Sequence, residues 1–401
     1  MDRKKNLELY IHIPFCVQKC LYCDFLSFGG AEGRARVEYM DQLRSEILSS
    51  GPWYADYLVR TIFIGGGTPS LLEPEQITLL MQAVRKSFLV AEDAEITIEA
   101  NPGTLLSRKL PVYRAAGINR LSLGLQSANN EELVHLGRIH SFEDFLKSFQ
   151  NARMAGFTNI NVDLMSAIPG QNLESWKNTI RKTMMLKPEH ISAYSLIVED
   201  GTAFGRHYGE CGNAEKPEED SDKLFGWPSL PEEEEERQMY YLTRKLLEEN
   251  GYHPYEISNY AKPGFQCRHN IGYWTGEEYL GLGLGASSYV NGRRFCNESD
   301  LKAYQSLDFS LDGLEQLHGE IHVQSRKEQM EEFMFLGLRM TEGVSDTAFV
   351  REFGVHMDSV YGKVLERLKE EQLLTQKGSR IALTEWGIDV SNYVLSKFLL
   401  E

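Results

Sequence analysis

Residues 7–25 of the 401-residue chain read Leu-Glu-Leu-Tyr-Ile-His-Ile-Pro-Phe-Cys-Val-Gln-Lys-Cys-Leu-Tyr-Cys-Asp-Phe, and they join an apolar run to three closely spaced cysteines. The run Leu9–Ile13 has the composition of a short strand. Cys16, Cys20 and Cys23 fall within eight residues, whereas the other three of the six cysteines are scattered. Cysteines crowded in this way indicate a metal site in a reducing compartment rather than a disulfide framework.

Strand-like runs and amphipathic helical stretches alternate from residue 7 to about residue 200. The predicted strands are Leu9–Ile13, Thr61–Ile64, Ile96–Glu99, Arg120–Leu125, Ile160–Met165 and His190–Leu196. The predicted helices between them are Val37–Leu48, Pro74–Phe88, Leu105–Ala116, Phe142–Ala155 and Leu173–Leu186. This alternation is typical of an α/β fold with a parallel sheet, and six strands predict either an incomplete barrel or an open sheet.

Polar and glycine-rich segments follow the predicted strands. They are Pro14–Cys16, Gly65–Pro69, Glu99–Pro102, Gly124–Ser127 and Pro169–Gln171, with Asp163 in the fifth strand. The carboxyl ends of parallel strands converge on one face of a sheet, and ligands bind there. The sequence therefore predicts a ligand site that includes the cysteine loop.

The three cysteines are too few for a closed zinc site. Zinc sites usually have four protein ligands, and no fourth Cys or His lies at the usual spacing. Three thiolates hold a four-iron, four-sulfur (4Fe-4S) cluster and leave one iron open to a small chelating molecule. We interpret Cys16, Cys20 and Cys23 as ligands of such a cluster. The alternatives are a zinc site and three buried cysteines that act as small apolar side chains.

The string from Tyr10 to Phe25 resembles the cluster motif of the radical S-adenosylmethionine (SAM) superfamily, in which the nucleotide's amino and carboxylate groups chelate the open iron. Further matches up to Ala286 resemble the branch that contains anaerobic coproporphyrinogen III dehydrogenases and HemW-type haem chaperones. The resemblance implies an α/β fold with a partial (β/α)6 barrel and a C-terminal, mainly helical domain that is winged-helix-like.

The chain divides into three regions on this interpretation. Residues 1–210 form the radical SAM core with the cluster and SAM sites, and residues 211–300 complete it with an acidic insertion, a helix and a His-Asn-x-x-Tyr-Trp segment. Within this second region, Cys211–Pro231 is predicted to be an exposed loop and Glu232–Asn250 a helix. Residues 301–401 form the cap, with three helices from about Arg326 and a strand pair around residues 373–383.

The resemblance also implies contacts to SAM from the first strands. Gly67 and Thr68 match the segment that contacts the methionine amino group, and glycine after a strand lets a ligand lie close to the backbone. Glu99, at a strand end, is suited to accept a hydrogen bond from a ribose hydroxyl or an ammonium group. The alternative for each residue is an ordinary turn or a surface polar group.

Later strands supply the rest of the implied SAM site. Gln126, Arg138 and Asp163 match positions that bind the methionine and ribose portions. A guanidinium binds a carboxylate through two parallel hydrogen bonds, which suits Arg138 to the methionine carboxylate. Tyr10 and Ile197 are predicted to pack against the nucleotide. No residue is assigned a catalytic role.

Departures from the dehydrogenase pattern favour the chaperone branch. The dehydrogenases carry another cysteine two positions beyond the third ligand, where this chain has Phe25, and they have a longer segment before the cluster. The segment His269-Asn-Ile-Gly-Tyr-Trp274 matches the His-Asn-x-x-Tyr-Trp motif of the HemW branch, whose histidine is implicated in holding haem. Imidazole is a common axial ligand, and Tyr and Trp offer flat apolar surfaces. The alternative is that His269 caps a loop and the aromatic residues belong to the core.

The chain is acidic, with 58 Asp and Glu against 42 Lys and Arg and a formal net charge of −16. Such a surface repels phosphate backbones, so we expect no nucleic-acid partner, even for the winged-helix-like domain. No window has the roughly 20 apolar residues of a membrane span, and Met1–Asn6 lacks the apolar core of a signal peptide. These features predict a cytoplasmic protein, with peripheral membrane contact left open.

Three functions remain to be separated. The first is a chaperone that binds haem, a 4Fe-4S cluster and SAM, and delivers haem to respiratory or other haem enzymes. The second is an oxygen-independent coproporphyrinogen III oxidase (dehydrogenase), which carries out a radical oxidative decarboxylation in haem biosynthesis. The third is a scaffold in which the cofactors are structural. The recipient of the haem and the electron donor, for which a small protein is compatible, are not identified by the sequence.

Overall fold

The structure, a computed structural model, describes residues 4–30, 33–209, 227–309 and 313–400. The strands are β1 (Lys5–Ile13), β2 (Phe15–Cys16), β3 (Phe28–Gly29), β4 (Tyr57–Gly66), β5 (Val90–Ala100), β6 (Arg120–Gln126), β7 (Ile160–Ser166), β8 (His190–Ser195), β9 (His253–Pro254), β10 (Asn259–Ala261), β11 (Tyr279–Leu282), β12 (Ser287–Val290), β13 (Arg293–Cys296), β14 (His322–Val323), β15 (Val344–Ser345), β16 (Leu374–Lys377) and β17 (Arg380–Leu383).

The helices are α1 (Gly33–Ser50), α2 (Pro74–Ser87), α3 (Leu110–Ala115), α4 (Asn130–His135), α5 (Phe142–Met154), α6 (Leu173–Met185), α7 (Ala203–Tyr208), α8 (Glu233–Glu249), α9 (Arg268–Thr275), α10 (Leu301–Ser306), α11 (Gly313–Leu317), α12 (Arg326–Gly337), α13 (Asp346–Phe353), α14 (Met357–Glu370), α15 (Glu385–Asp389) and α16 (Ser391–Ser396). None of these helices is both long enough and apolar enough to cross a bilayer.

The six predicted strands form a parallel sheet in the order β1-β4-β5-β6-β7-β8. Strand β11 adds a seventh parallel strand on the free side of β1, and antiparallel strands extend both edges. The predicted α/β class with a parallel six-stranded core is confirmed. Among the described strands, the two edges of the sheet do not pair with each other.

The predicted helices are present, but two of them start elsewhere, and α1 begins at Gly33 rather than at Val37. Helix α3 begins at Leu110 rather than at Leu105, and the residues before it form turns. Pro111 lies in its first turn, where the missing N–H is tolerated; a longer helix would place this ring against a backbone carbonyl one turn earlier. Helix α8 confirms the helix predicted after the acidic stretch. Most of the loop predicted over Cys211–Pro231 lies outside the described residues.

The parallel sheet has an apolar face and a polar face. Leu7, Leu9 and Ile11 are fully buried in the main core, with side chains of the surrounding helices. Side chains alternate along a strand, so Glu8 and the next even-numbered residues of β1 lie on the opposite face. The register aligns Glu8 with Thr61, and Thr61 in turn with Glu95, so buried polar side chains share this inner face. The functional residues described below lie on it or at its upper end.

The C-terminal region has its own core. Met330, Met334, Phe349 and Leu365 belong to a cluster of buried side chains distinct from the main core. Helices α12, α13 and α14 surround this cluster, and a small sheet in the order β15-β17-β16 completes the region. The predicted order of three helices followed by a strand pair is confirmed, as is the mainly helical character of this region.

Candidate cofactor site at the carboxyl ends of the strands

The cysteine loop leaves the carboxyl end of β1 and is closed by the parallel pairing of β2 with β3. Cys16, Cys20 and Cys23 are all partly exposed, and none forms a disulfide. Burial raises the pKa of the Cys16 and Cys23 thiols, so protons have to leave before either sulfur binds a cation. Among the described residues, no group of three His, Cys, Asp or Glu side chains is arranged to hold a metal ion.

A chain of hydrogen bonds joins two of the cysteines through residues from other strands. The Thr68 hydroxyl donates to the Cys16 sulfur at 3.5 Å and accepts from the Asn101 amide at 2.9 Å. The Asn101 oxygen accepts from Arg138 Nη2 at 2.8 Å, and Arg138 Nη1 donates to the Cys20 sulfur at 3.5 Å. The sequence-predicted residues Thr68 and Arg138 are therefore brought to the cysteine loop.

Arg138 is fixed but retains an unused donor. Its Nη2 also donates to the Gly124 carbonyl at 2.8 Å, at the end of β6. Its Nε is buried and has no acceptor among the described residues. A small cavity of about 20 Å³ lies beside Arg138 and is also lined by Cys20, Thr68 and Asn101. A buried donor without a partner next to a cavity marks a place where an anionic group can bind.

Two carboxylates stand on the inner face below the cysteine loop. Glu99 accepts a hydrogen bond from the Gly66 N–H at 3.0 Å, and Asp163 accepts from Ser122 at 2.9 Å and from Asn161 at 2.7 Å. Burial, reinforced by the nearby Asp163, raises the pKa of Glu99 to about 8. Burial also raises the pKa of Asp163. Two carboxyl groups that lack full compensation suit a ligand that is cationic and rich in hydroxyl groups.

The Gly65–Pro69 segment lies against the cysteine loop rather than standing free. The Gly67 N–H donates to the Ile13 carbonyl at 2.8 Å, and the Thr68 N–H donates to the Phe15 carbonyl at 2.7 Å. A Cβ atom on Gly67 would lie 2.7 Å from the Phe15 carbonyl oxygen. Gly67 therefore allows the two backbone segments to meet, which is a structural reason for glycine in addition to the predicted contact with a ligand.

Gln126 ends β6 in an unusual backbone conformation. Its φ is +69°, a region that residues other than glycine rarely adopt, and its side chain is buried. The Tyr194 hydroxyl, from β8, donates to the Gln126 Oε1 at 3.1 Å. Strain of this kind persists where the surroundings hold it, and it is found at ligand sites.

Tyr10 and Ile197, the two predicted packing residues, have different surroundings. The Tyr10 hydroxyl is 3.0 Å from His12 Nδ1, and its ring stacks on Phe63 with centroids 6.4 Å apart. Tyr10 therefore lies on the inner face beneath the cysteine loop. Ile197 follows the end of β8 and is 69% exposed.

His269 lies apart from the cysteine loop, in a buried polar cluster that we call the histidine layer (Glu8, Thr61, Glu95, His269 and Tyr273). The imidazole Nδ1 is 2.6 Å from the Thr61 hydroxyl, and Nε2 is 3.1 Å from the Tyr273 hydroxyl. The His269 N–H donates to Glu95 at 3.3 Å, which anchors the start of α9. Burial lowers the pKa of His269 to about 3, so the ring is neutral. In this arrangement neither ring nitrogen is free.

Three residues of the site had not been assigned from the sequence. Asn101 links Thr68 to Arg138, Tyr194 holds Gln126, and Asn161 holds Asp163. The only signal for Asn101 is its place before a proline at a strand end. The other two lie inside predicted strands, and nothing in a single sequence distinguishes them from ordinary strand residues.

Comparison with known proteins agrees with this arrangement. The model of the radical SAM superfamily matches residues 10–183, and the model of the HemN C-terminal domain matches residues 324–390. Among solved structures, the coproporphyrinogen III oxidase HemN from Escherichia coli aligns with 99% of this chain and 90% of its own, with a TM-score of 0.82 and 24% identity. At this identity, the likeness shows a shared fold.

Curated relatives share far more of the sequence. A protein from Bacillus subtilis (strain 168) named heme chaperone HemW is 38% identical over 98% of this chain and 99% of its own length. A protein of the same name from Lactococcus lactis subsp. lactis (strain IL1403) is 36% identical over 100% of this chain and 99% of its own. The chain therefore belongs to the family of proteins named heme chaperone HemW, within the radical SAM superfamily.

Proposed function

We propose that the chain is a haem chaperone, which binds haem, a 4Fe-4S cluster and SAM and delivers haem to respiratory or other haem-dependent enzymes. The observation that carries the proposal is the full-length similarity to relatives named heme chaperone HemW, at 36–38% identity over 98–100% of the chain. Phe25, at the position where the dehydrogenases have a further cysteine, favours the same function. The side chain of Phe25 is 66% exposed beside the cysteine loop.

The cluster is assigned to Cys16, Cys20 and Cys23. Each thiolate of a 4Fe-4S cluster binds a different iron, so the three sulfurs need not converge on a single ion. Thr68 and Arg138 donate hydrogen bonds to the sulfurs of Cys16 and Cys20, and such donors stabilise thiolates. When bound, the cluster supplies electrons for reductive cleavage of SAM.

The SAM site is assigned to the residues around the cysteine loop. The free Nε of Arg138 suits the methionine carboxylate, since a guanidinium binds carboxylates strongly. Glu99 and Asp163 accept hydrogen bonds from hydroxyl or ammonium groups. The remaining assigned residues are Tyr10, Gly67, Thr68, Gln126 and Ile197.

Haem binding is assigned to the His-Asn-x-x-Tyr-Trp segment, with His269 as the candidate ligand. Because Thr61 and Tyr273 occupy both ring nitrogens, ligation of iron by His269 requires the Tyr273 hydroxyl to leave Nε2. The motif therefore has a structural role in the arrangement described, and its role in haem binding is part of the proposal.

The proposal extends to organisation and location. We assign residues 1–210 to the cofactor-binding core, residues 211–300 to its completion and residues 301–401 to the cap. Partly exposed free cysteines persist in a reducing compartment, so we assign the protein to the cytoplasm. Its partners are haem, the enzymes that accept haem and an electron donor, for which we propose a small protein.

A haem titration tests the chaperone function. The native protein, reconstituted without oxygen, is expected to bind one equivalent of haem tightly, and His269→Ala is expected to lose this binding. His253→Ala is the matched control, because His253 is exposed on the short strand β9. Absence of haem binding by the native protein would reject the proposal.

Two assays separate the alternative functions. Residues 324–390 match the HemN C-terminal domain, so the coproporphyrinogen III oxidase reaction has to be tested as the alternative. Anaerobic incubation with coproporphyrinogen III, a reductant and SAM, followed by chromatography, is expected to give no protoporphyrinogen; catalytic amounts would establish the oxidase instead. In a separate assay, release of methionine and 5′-deoxyadenosine from SAM would exclude a purely structural scaffold.

A further inference from the structure

A cleft of about 360 Å³ separates helix α9 from the C-terminal region. On one side lies Trp274, the last residue of the His-Asn-x-x-Tyr-Trp motif, and on the other lie Phe333, Leu336 and Phe353. None of the residues assigned above to the cluster or to SAM lines this cleft. Its volume is within the range of cofactor sites. We call it the cap cleft.

Helix α12 gives the cap cleft one continuous wall. The residues that it contributes recur at the spacing of a single helix face, and they are Gln329, Glu332, Phe333, Leu336 and Gly337. Met330 and Met334, from the same helix, are buried in the C-terminal core. The cleft-lining face is polar at Gln329 and Glu332 and apolar at Phe333, Leu336 and Gly337. The second half of helix α12 therefore offers apolar surface both to the C-terminal core and to the cap cleft.

The indole of Trp274 has an unused donor. Its Nε1 is buried and finds no acceptor within the described part of the chain, while the Arg339 guanidinium stacks on the ring at 4.4 Å. Buried donors are nearly always paired in folded proteins, so an unpaired one in the wall of a cleft points to a missing ligand. The ring also offers a flat apolar surface.

Two arginines, Arg351 and Arg380, line the C-terminal side of the cleft together with Glu332, which pairs with Arg294 at the edge of the sheet. Among the described residues, the exposed Arg351 forms no ion pair, and Arg380 forms one, with Glu342 at 3.5 Å, and also donates to the Gly343 carbonyl at 3.5 Å. Glu277 and Glu352 also line the cleft. A ligand with carboxylates all around its rim would meet both signs of charge. A ligand with two carboxylates at one edge can place them on the arginines alone.

We propose that the cap cleft is the haem-binding site. The macrocycle packs against Trp274, Phe333 and Leu336, and the two propionates bind Arg351 and Arg380. Haem is flat and apolar and carries its two carboxylates at one edge, which suits a cleft lined by aromatic side chains and two arginines. The inference rests on the proposed haem-carrying function, and it does not depend on His269, which does not line the cleft. An open cleft leaves part of the haem accessible, which suits a cargo that is passed on.

The test uses full-length protein reconstituted without oxygen and titrated with haem. The double variant Arg351→Gln/Arg380→Gln is expected to bind haem about tenfold or more weakly than the native protein, because two charge-assisted contacts are lost. Ala348→Trp, which fills the cleft from helix α13, is expected to abolish binding. The control Arg36→Gln/Arg181→Gln removes two arginines that form no ion pair among the described residues, and it is expected to stay within about twofold of native. Unchanged iron and sulfide content shows that each variant is folded.

Two other ligands sharpen the assignment. Haem dimethyl ester lacks free carboxylates, so the native protein and the double arginine variant are expected to bind it equally. Coproporphyrin III carries a propionate on every pyrrole ring and is expected to bind the native protein at least about tenfold more weakly than haem. Native-like haem binding by both the double variant and Ala348→Trp would show that haem does not bind in the cap cleft. This result would not contradict the chaperone function. Failure of the native protein to bind haem would overturn both proposals.

Discussion

The cysteine-loop site and the histidine layer both consist of polar side chains on the inner face of the sheet, yet their hydrogen bonding differs. At the cysteine loop, the three cysteines are partly exposed, and Arg138 Nε lacks an acceptor in the described part of the chain. In the histidine layer, both nitrogens of the fully enclosed His269 imidazole are bonded, and the His269 backbone N–H is bonded as well, whereas Glu8 Oε2 has no partner among the described residues. The two sites are four residues apart along each strand. On β5, Glu95 of the histidine layer precedes Glu99 of the cofactor site, and on β4, Thr61 of the histidine layer precedes Gly65.

The difference distinguishes a region whose unpaired donor can bind a ligand from an imidazole whose paired nitrogens stabilise the fold in the arrangement described. Buried polar groups are nearly always paired in folded proteins, so paired groups stabilise the chain that contains them. Unpaired groups at the carboxyl ends of parallel strands lie where ligands bind in this class of fold. We therefore expect substitutions at the cysteine loop to remove cofactors and substitutions in the histidine layer to lower stability.

The largest effect is expected from the cysteines. Cys20→Ser removes one of only three cluster ligands, so we expect nearly complete loss of iron and acid-labile sulfide after anaerobic reconstitution. Chemical analysis and the visible absorption of the cluster measure this loss. Cys296→Ser is the matched control, because Cys296 is an exposed free cysteine on β13. Equal loss in the control, or a full cluster in Cys20→Ser, would contradict the assignment.

The next effect concerns Arg138. Arg138→Gln removes the donors to Asn101, Gly124 and the Cys20 sulfur as well as the free Nε. Charge-assisted hydrogen bonds contribute about 1.5–3 kcal/mol each, so SAM affinity is expected to fall by roughly a hundredfold. Isothermal titration of cluster-loaded protein measures the change. Arg138→Lys keeps the charge without the fork, and recovery of native affinity in this variant would show that charge alone suffices.

Much of the fold could be predicted because its signals are local. Each core strand is an apolar run, and helix ends carry capping residues such as Ser141 and Asn172, whose side chains accept from the backbone of the first turn. The three cysteines were found by spacing alone. The start of α3 was predicted wrongly, since apolar residues before Pro111 suggested a longer helix than the proline allows.

The inner face of the sheet could not be predicted, because its contacts are not local. Thr61 and His269 are hydrogen-bonded although 208 residues separate them in the sequence, and the sequence near either residue does not indicate this pair. Likewise, β11 lies parallel to β1, although a glycine- and tyrosine-rich segment of this kind resembles a loop. The resemblance of the motif at His269 to that of the HemW branch implies a ligand for iron, and this stays a prediction. The structure adds which neighbours the imidazole has.

Substitution of His269 tests whether the histidine layer stabilises the fold. His269→Ala removes the bonds to Thr61 and Tyr273 and the stacking on Phe63 at 5.2 Å, and it leaves a cavity. We expect the free energy of unfolding to fall by about 2 kcal/mol, with iron and sulfide content unchanged. Denaturant unfolding measures this. His253→Ala is expected to change stability by less than about 0.5 kcal/mol, since exposed substitutions are nearly neutral. Native stability in His269→Ala would remove the structural role assigned to the histidine layer.

The smallest effect is a pH dependence from Glu99. Its pKa is raised from 4.5 to about 8, so the carboxyl is mostly protonated at pH 7 and mostly ionised at pH 9. Because the carboxylate is the better acceptor for hydroxyl or ammonium groups, native affinity for SAM should rise over this range. Glu99→Gln cannot ionise, and titration of the SAM amino group affects both proteins alike. The ratio of native to variant affinity is therefore expected to increase by up to about tenfold between pH 7 and pH 9. If the ratio of native to variant affinity stays constant with pH, Glu99 does not contact the bound nucleotide. The ligand-binding part of the inner face would then lie nearer to the cysteine loop than Glu99.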